Sequence, residues 1–131
     1  MIPPHPRFPR VDAPGDAVPV WNLTPDRGRG GCIVRFFDTP AVSPSGRFVA
    51  CFRLPFEDRL PAPGDAGEVV VIDLESGQER AVATTRGWEP QLGAQVQWGA
   101  DDRTLFFSDV GTDAWEPRTV RLDPISGERS A

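Results

Sequence analysis

Short apolar runs alternate with turn residues along the chain from Cys32 onward. No segment places its apolar residues with the spacing of an amphipathic helix. This pattern is typical of an all-β fold. The predicted strands are residues 33–37 or 33–42, 47–54, 68–74, 79–84, 94–98, 104–109 and 118–122.

Two of these strands are apolar at consecutive positions, in residues 48–52 and 69–72. Successive side chains of a strand point to opposite faces of its sheet, so both faces of these strands need a cover. We therefore expect a sandwich or a stack of sheets.

The chain also contains an internal repeat. Residues 42–50 align with residues 98–106, and residues 71–79 align with residues 121–129. The first copy is longer between its second and third strands, which is where an insertion in a loop falls. Each copy has the order strand, tight turn, strand, long loop, strand, tight turn, strand. The repeat predicts two four-stranded antiparallel meanders.

Residues 1–31 are rich in Pro and Gly and lack any periodicity. Pro3, Pro4, Pro6 and Pro9 favour polyproline II geometry, because each ring fixes φ. We expect an extended arm that lies as a strap over the domain and covers an exposed sheet face; the alternative is a docking peptide for an aromatic groove. The apolar residues available to the strap are Phe8, Val18, Val20, Trp21 and Leu23.

The repeat is built on a recognisable set of turn residues. The first copy has Pro40, Ser43, Pro44, Gly46, Arg47 and Ala50, and the second has Trp98 and Asp101. The second hairpin of each copy keeps Asp73, Ser76 and Gly77, then Asp123, Ser126 and Gly127. In order and spacing, this set resembles the WD-like repeat of TolB-type β-propellers over roughly residues 36–129. The departures are Val42 and Ser45, where Trp and Asp are usual, and Ala100 and Asp102, where Pro and Gly are usual.

We expect the arm over residues 1–31. The resemblance implies a first propeller blade over 32–86 and a second over 87–131, either complete or truncated. Propellers usually close with about 4–8 blades. We therefore expect a segment of a larger propeller, completed either by a longer chain or by self-association. An open pair of blades is disfavoured, because uncovered faces and strand edges invite aggregation.

A meander places its tight turns at one end and its long loops at the other. Aromatic and charged residues concentrate in the long loops, where they could stack on a peptide or sugar and hydrogen-bond its polar groups. The predicted ligand or partner surface consists of Phe56, Glu57, Asp58, Arg59, Arg86, Trp88, Glu89, Gln91, Asp109, Asp113 and Trp115.

A purely structural role for the same residues is the alternative. Phe56 and Trp88 would then fill the gap between the blades, and Glu57 or Asp58 would pair with a neighbouring Arg. Glu57 and Asp58 are adjacent in sequence, so in a strand they point to opposite faces and do not form an acid–base pair.

No cofactor or metal site is predicted. Residues 27–31 are similar to part of an anion-binding glycine loop but lack the context of a P-loop, so we expect a flexible turn. Cys32 and Cys51 belong to no CxxC motif and His5 is the single histidine, so we expect reduced structural thiols rather than a zinc site. The acidic residues Asp109, Asp113 and Glu116 lack the spacing of an EF-hand.

Composition narrows the class of function. The chain has 131 residues, a formal net charge of -5 and a pI near 4.8, which argues against a nucleic-acid surface. No apolar stretch approaches the roughly 20 residues of a membrane span, and residues 1–7 lack the apolar core of a secretory signal. We therefore expect a cytoplasmic protein.

These observations favour a non-enzymatic binding or assembly scaffold with a protein, peptide or carbohydrate ligand. The chain has neither a Gly-x-Ser-x-Gly elbow nor a plausible Ser-His-Asp set. The family resemblance also implies an alternative. The chain would then belong to a propeller enzyme acting on sugars, similar to oligogalacturonate lyases, or to the propeller domain of a prolyl-oligopeptidase-type peptidase, with catalytic residues outside these 131 residues.

Overall fold

A computed structural model describes residues 5–25 and 29–131. These residues form two four-stranded antiparallel sheets and no helix. The first sheet contains β1 (Cys32–Ile33), β2 (Phe48–Arg53), β3 (Gly67–Asp73) and β4 (Glu79–Thr85). The second contains β5 (Gln97–Trp98), β6 (Leu105–Val110), β7 (Pro117–Leu122) and β8 (Arg129–Ser130). Strand order follows the sequence in both sheets, which confirms the all-β prediction and the two meanders.

The first predicted strand is wrong beyond Ile33. The chain leaves the sheet there and returns at Val42, which bridges Val49 of β2. The guanidinium of Arg35 explains the excursion, because it reaches the second sheet. Its Nε donates to Gln95 Oε1 at 2.9 Å and its Nη1 donates to Gln97 Oε1 at 2.7 Å.

The strand predicted over 94–98 is also shorter than expected. Gln95 has a φ of 56°, in the left-handed region, so regular pairing begins only at Gln97. The structure adds β8, which pairs Arg129 with Leu122 and was not among the predicted strands.

The main core lies between the two sheets. On β2, Ala50 and Phe52 point into this core, and the residues that alternate with them point to the opposite face. Phe52 is only 1% exposed. The remaining buried members of this core are Val69, Val71, Ala83, Ala94, Val96, Leu105, Phe107, Val120 and Leu122. One face of each sheet is thus covered by the other sheet.

The opposite face of the first sheet is covered by the N-terminal arm. Val49 and Cys51 of β2 and Val70 and Ile72 of β3 form a second cluster with Phe8, which is 5% exposed. Trp21 and Leu23 pack against the same cluster. The two apolar strands are therefore covered on both sides, as predicted. The arm acts as the predicted strap, but Val18 and Val20, which were also expected to be buried by it, are exposed.

The arm is not a simple extended segment. It folds back on itself, since Arg10 and Trp21 form an isolated antiparallel β-bridge and the Val11 N–H donates to the Val20 carbonyl at 2.9 Å. Asp12 reinforces the return by accepting from the Val20 N–H at 3.0 Å. A turn closed by the Phe8 N–H on the His5 carbonyl at 2.9 Å interrupts the polyproline II geometry predicted around Pro6. Pro3 and Pro4 lie outside the described residues.

Equivalent turn contacts recur in the two sheets. Arg47 binds Asp73 with an Nη2–Oδ2 distance of 2.9 Å, and Arg103 binds Asp123 at 2.7 Å. In both hairpins the Asp carbonyl accepts at 2.8 Å from a glycine N–H four residues later. These glycines have φ values of 68° at residue 77 and 80° at residue 127, a conformation that glycine adopts without strain. The sequence repeat is therefore a repeat of structure.

Ser45 and Asp102 join the tight turns of the two sheets. The Asp102 carboxylate accepts from the Ser45 N–H at 3.1 Å and also from the Ser45 hydroxyl. Both residues depart from the WD-like pattern described above. Together the two departures form a hydrogen-bonded contact between the sheets.

The Arg47–Asp73 pair predicts a specific dependence of stability on pH. The hydrogen bond from Arg47 lowers the pKa of Asp73 to about 2, with further help from the Glu75 and Ser76 N–H groups. The unfolded carboxyl titrates near about 3.9. Stabilisation by Asp73 is therefore complete above about pH 4 and is lost as the pH falls toward 2.

Replacing Asp73 with Asn should reduce the free energy of unfolding at neutral pH. It should also flatten the loss of that free energy between about pH 4 and 2, measured by urea unfolding at several pH values. Asp113→Asn, at an exposed loop position, is the matched control. Equal pH slopes for wild type and Asp73→Asn would contradict the assignment.

Candidate functional site

Three connections meet at the end of the sheets opposite the tight turns. They are the β2–β3 loop, the β4–β5 connection and the β6–β7 loop. The Trp88 Nε1–H donates to the Asp65 carbonyl at 2.9 Å, which ties the first two connections together. Gly87 packs so closely on Asp109 that a Cβ at residue 87 would lie 2.5 Å from the Asp109 Cα.

A cavity of 460 Å³ opens between the first two connections. We call it the aromatic groove. Five of the eleven predicted surface residues line it. Its lining consists of Leu54, Phe56, Glu57, Asp58, Arg59, Leu60, Trp88 and Pro90.

Trp88 is the centre of the packing beneath the groove. Its ring lies 5.2 Å from Phe52, the most buried aromatic residue of the core, and 5.9 Å from Phe56. The side chain is half-buried. Trp88 therefore fills the gap between the sheets, as the structural alternative holds, and also forms part of the groove wall.

Arg59 covers the outer aromatic ring. Its guanidinium lies 3.6 Å from the centroid of the Phe56 ring, within the range of a cation–π contact. The same guanidinium pairs with Asp65 at 2.7 Å. The hydrogen bond from Arg59, followed by that from the Ala62 N–H, lowers the pKa of Asp65. Arg59 is therefore fixed over Phe56 by Asp65, and not by Glu57 or Asp58.

Glu57 and Asp58 both line the aromatic groove and lie in a loop, not in the strand for which opposite faces were expected. Glu57 Oε2 accepts from the Gly31 N–H at 3.3 Å, so its carboxylate contacts the entry to β1. Asp58 is exposed at the groove.

Three more predicted residues meet at a second hollow, of 270 Å³. Arg86, Asp113 and Trp115 line it, together with Gly64 and residues of the β6–β7 loop. Trp115 is 63% exposed. The predicted surface is therefore divided between two hollows.

The remaining predicted residues stabilise the loops. Asp109 accepts from Thr85 Oγ1 at 2.8 Å and from Arg118 at 2.7 Å. Burial opposes ionisation of Asp109, but the hydrogen bonds from Arg118 and Thr85 lower its pKa. Glu89 accepts from the Gln91 N–H at 2.8 Å and so closes a local turn.

A further cavity, of 640 Å³, lies between the arm and the first sheet and was not predicted. Its most buried charge is Arg53, which binds Glu79 and lies 3.5 Å from Glu68. Arg29 and Asn22 line the arm side. The sequence signals this cavity only through an Arg at the end of an apolar strand. The cavity itself depends on the path of the arm over the sheet, which the sequence pattern does not reveal.

Within residues 5–25 and 29–131, no group of three or more His, Cys, Asp or Glu side chains is placed to hold a metal ion. The same part of the chain contains no helix long and apolar enough to cross a membrane. Comparison of the sequence and structure with family models, curated proteins and solved structures gives no match.

The two tryptophans at the long-loop end should respond differently to truncation. Trp88→Ala removes the packing on Phe52 and the hydrogen bond to Asp65, so we expect a loss of about 2–3 kcal/mol in the free energy of unfolding. Trp115→Ala removes an exposed ring and should change that free energy by less than about 0.5 kcal/mol. Denaturant unfolding measures both. Equal effects would show that Trp88 does not anchor the loops.

Proposed function

We propose that this chain is a two-blade segment of a TolB-type β-propeller and serves as a non-catalytic binding scaffold. The repeated Arg–Asp turn contacts, the sequential meanders and the face-to-face packing of the sheets support this assignment. The same features are what stacked blades require.

The aromatic groove is the proposed binding surface, and an extended apolar peptide is its proposed ligand. Leu54, Leu60 and Pro90 supply apolar walls around Trp88. Leu60 is 81% exposed and so presents an apolar side chain to a ligand at the groove. Main-chain groups of a peptide would meet the polar rim while its side chains enter the groove.

The arrangement of the rings favours a peptide over a sugar. Stacking on a sugar requires a free aromatic face. Arg59 lies over one face of Phe56, and Trp88 packs against Phe52. The groove therefore offers apolar edges and walls more than flat platforms.

The rim favours a peptide with a basic residue. Asp58 is exposed at the groove, and Glu57 lines both the groove and the adjoining cavity. The positive charge of Arg59 is offset by Asp65. A Lys or Arg of the ligand would thus meet the exposed carboxylate of Asp58, which gives selectivity more than affinity.

The alternative of a propeller enzyme acting on sugars or peptides places catalysis outside these residues. None of the contacts described above favours it over a scaffold.

Titration of the full chain with defined probes tests the proposal. The first probe is an acetylated peptide of alternating Leu and Pro ending in Arg; the others are the same peptide ending in Glu, and an oligogalacturonate. We expect the Arg peptide to shift the Trp88 indole resonance in NMR spectra. The Glu peptide should bind at least about threefold more weakly, and the sugar should leave Trp88 unchanged.

Leu60→Asp should weaken binding of the Arg peptide by about tenfold or more, since it places a charge in the apolar wall. Val18→Asp is the matched control, because Val18 is also exposed but lies in the arm. Equal affinities for the two variants, or a Trp88 shift caused by the sugar alone, would contradict the proposed function.

A further inference from the structure

Two thiols lie on the same face of the first sheet, beneath the arm. Cys32 of β1 is paired in register with Arg53 of β2, and Cys51 precedes Arg53 by two positions on the same strand. Residues two apart on a strand share a face. Cys32 and Cys51 are therefore diagonal neighbours across adjacent strands.

The two thiols differ in accessibility. Cys51 is 3% exposed and packs among Val49, Val70 and Ile72. Cys32 is half-buried at the sheet edge and packs against the same cluster. One thiol can therefore meet a small solute while the other is held behind it.

Arg53 places a positive charge beside this pair. Its side chain is 7% exposed, and its Nη1 is a buried atom with no hydrogen-bond partner within the described part of the chain. Such an atom is costly unless an acceptor approaches it. The carboxylates of Glu79 and Glu68 lie beside this guanidinium. Cys32 lies directly opposite Arg53 in the register, where a thiolate would also meet its positive charge.

The titration behaviour agrees with that geometry. Interaction with Cys51 and the charge of Arg53 lower the pKa of Cys32, against the opposing effects of burial and of the Glu79 charge. Interaction with Cys32 and burial raise the pKa of Cys51. Cys32 is thus the more acidic thiol of the pair.

We propose that Cys32 and Cys51 form a redox-active pair that a hydroperoxide converts to a disulfide. The Cys32 thiolate attacks the terminal peroxide oxygen, the O–O bond breaks, and an alcohol or water leaves as Cys32 becomes a sulfenic acid. The Cys51 sulfur then attacks the Cys32 sulfur, forming the S–S bond and releasing water with the Cys51 proton. The two thiols lose two electrons in total, and the peroxide gains them.

The fold allows the small movement that bond formation requires. A disulfide needs Cα atoms within about 7 Å, and diagonal neighbours lie about 7–8 Å apart, so the two strands must move closer for the bond to form. β1 has only two residues at the sheet edge, and the chain leaves the sheet directly after Ile33. β1 can therefore shift toward Cys51 without disturbing a longer strand. The product would join β1 to β2 directly beneath the arm.

Treatment of the reduced full chain with hydrogen peroxide tests the proposal. Intact mass should fall by about 2 Da in the monomer, and peptide mapping without reductant should recover the Cys32–Cys51 cross-link. Cys51→Ala, which suits the apolar surroundings of residue 51, should stop at the sulfenic acid and form a dimedone adduct at Cys32. Cys32→Ser should react with peroxide at least about tenfold more slowly than wild type.

Circular dichroism of each variant establishes that it is folded before its rate is compared. Equal peroxide rates for wild type and Cys32→Ser would overturn the proposal. Conversion of wild-type Cys32 to sulfinic acid without a cross-link to Cys51 would overturn it as well.

Discussion

Burial of the first sheet on both faces is the constraint on which the rest of the structure depends. Phe52 and Val71 point toward the second sheet, whereas Cys51 and Val70, their neighbours in sequence, point toward the arm. A strand with this pattern is stable only if both covers are present. The arm is therefore part of the core and not an appendage.

Two-sided burial also determines where function can lie. The tight-turn end is occupied by internal pairs such as Arg47–Asp73, and Asp102 there binds Ser45 of the other sheet. The long-loop end keeps its aromatic groove open. The recognition surface that we propose and the thiol pair beneath the arm thus lie at the same end of the first sheet but border its opposite faces.

The alternation of short apolar runs with turn residues, together with the internal repeat, made most of the fold predictable from the sequence. The strands that bury both faces, β2 and β3, lie within one residue of their predicted bounds. The excursion after Ile33 was not predictable, because it depends on Arg35 reaching Gln95 across the sheets. The folding of the arm likewise depends on pairing between residues distant along the chain.

The candidate site was predictable in location but not in detail. Meander topology alone brought Phe56 and Trp88 to one end, and the structure places both in one groove. In the folded chain Arg59 pairs with Asp65, and Glu57 accepts a hydrogen bond from Gly31. Each side chain had several possible partners nearby, and the sequence does not show which one it contacts. The proximity of Cys32 and Cys51 required the register of β1 on β2, which spacing along the chain does not reveal.

The most direct test of two-sided burial is a nuclear Overhauser spectrum of the full chain with labelled methyl groups. We predict contacts from the Phe8 ring to the methyl groups of Val49, Val70 and Ile72, and none to Val69 or Val71 on the opposite face. A Phe8 ring in contact only with other arm residues, leaving the outer face of the first sheet in water, would contradict the account.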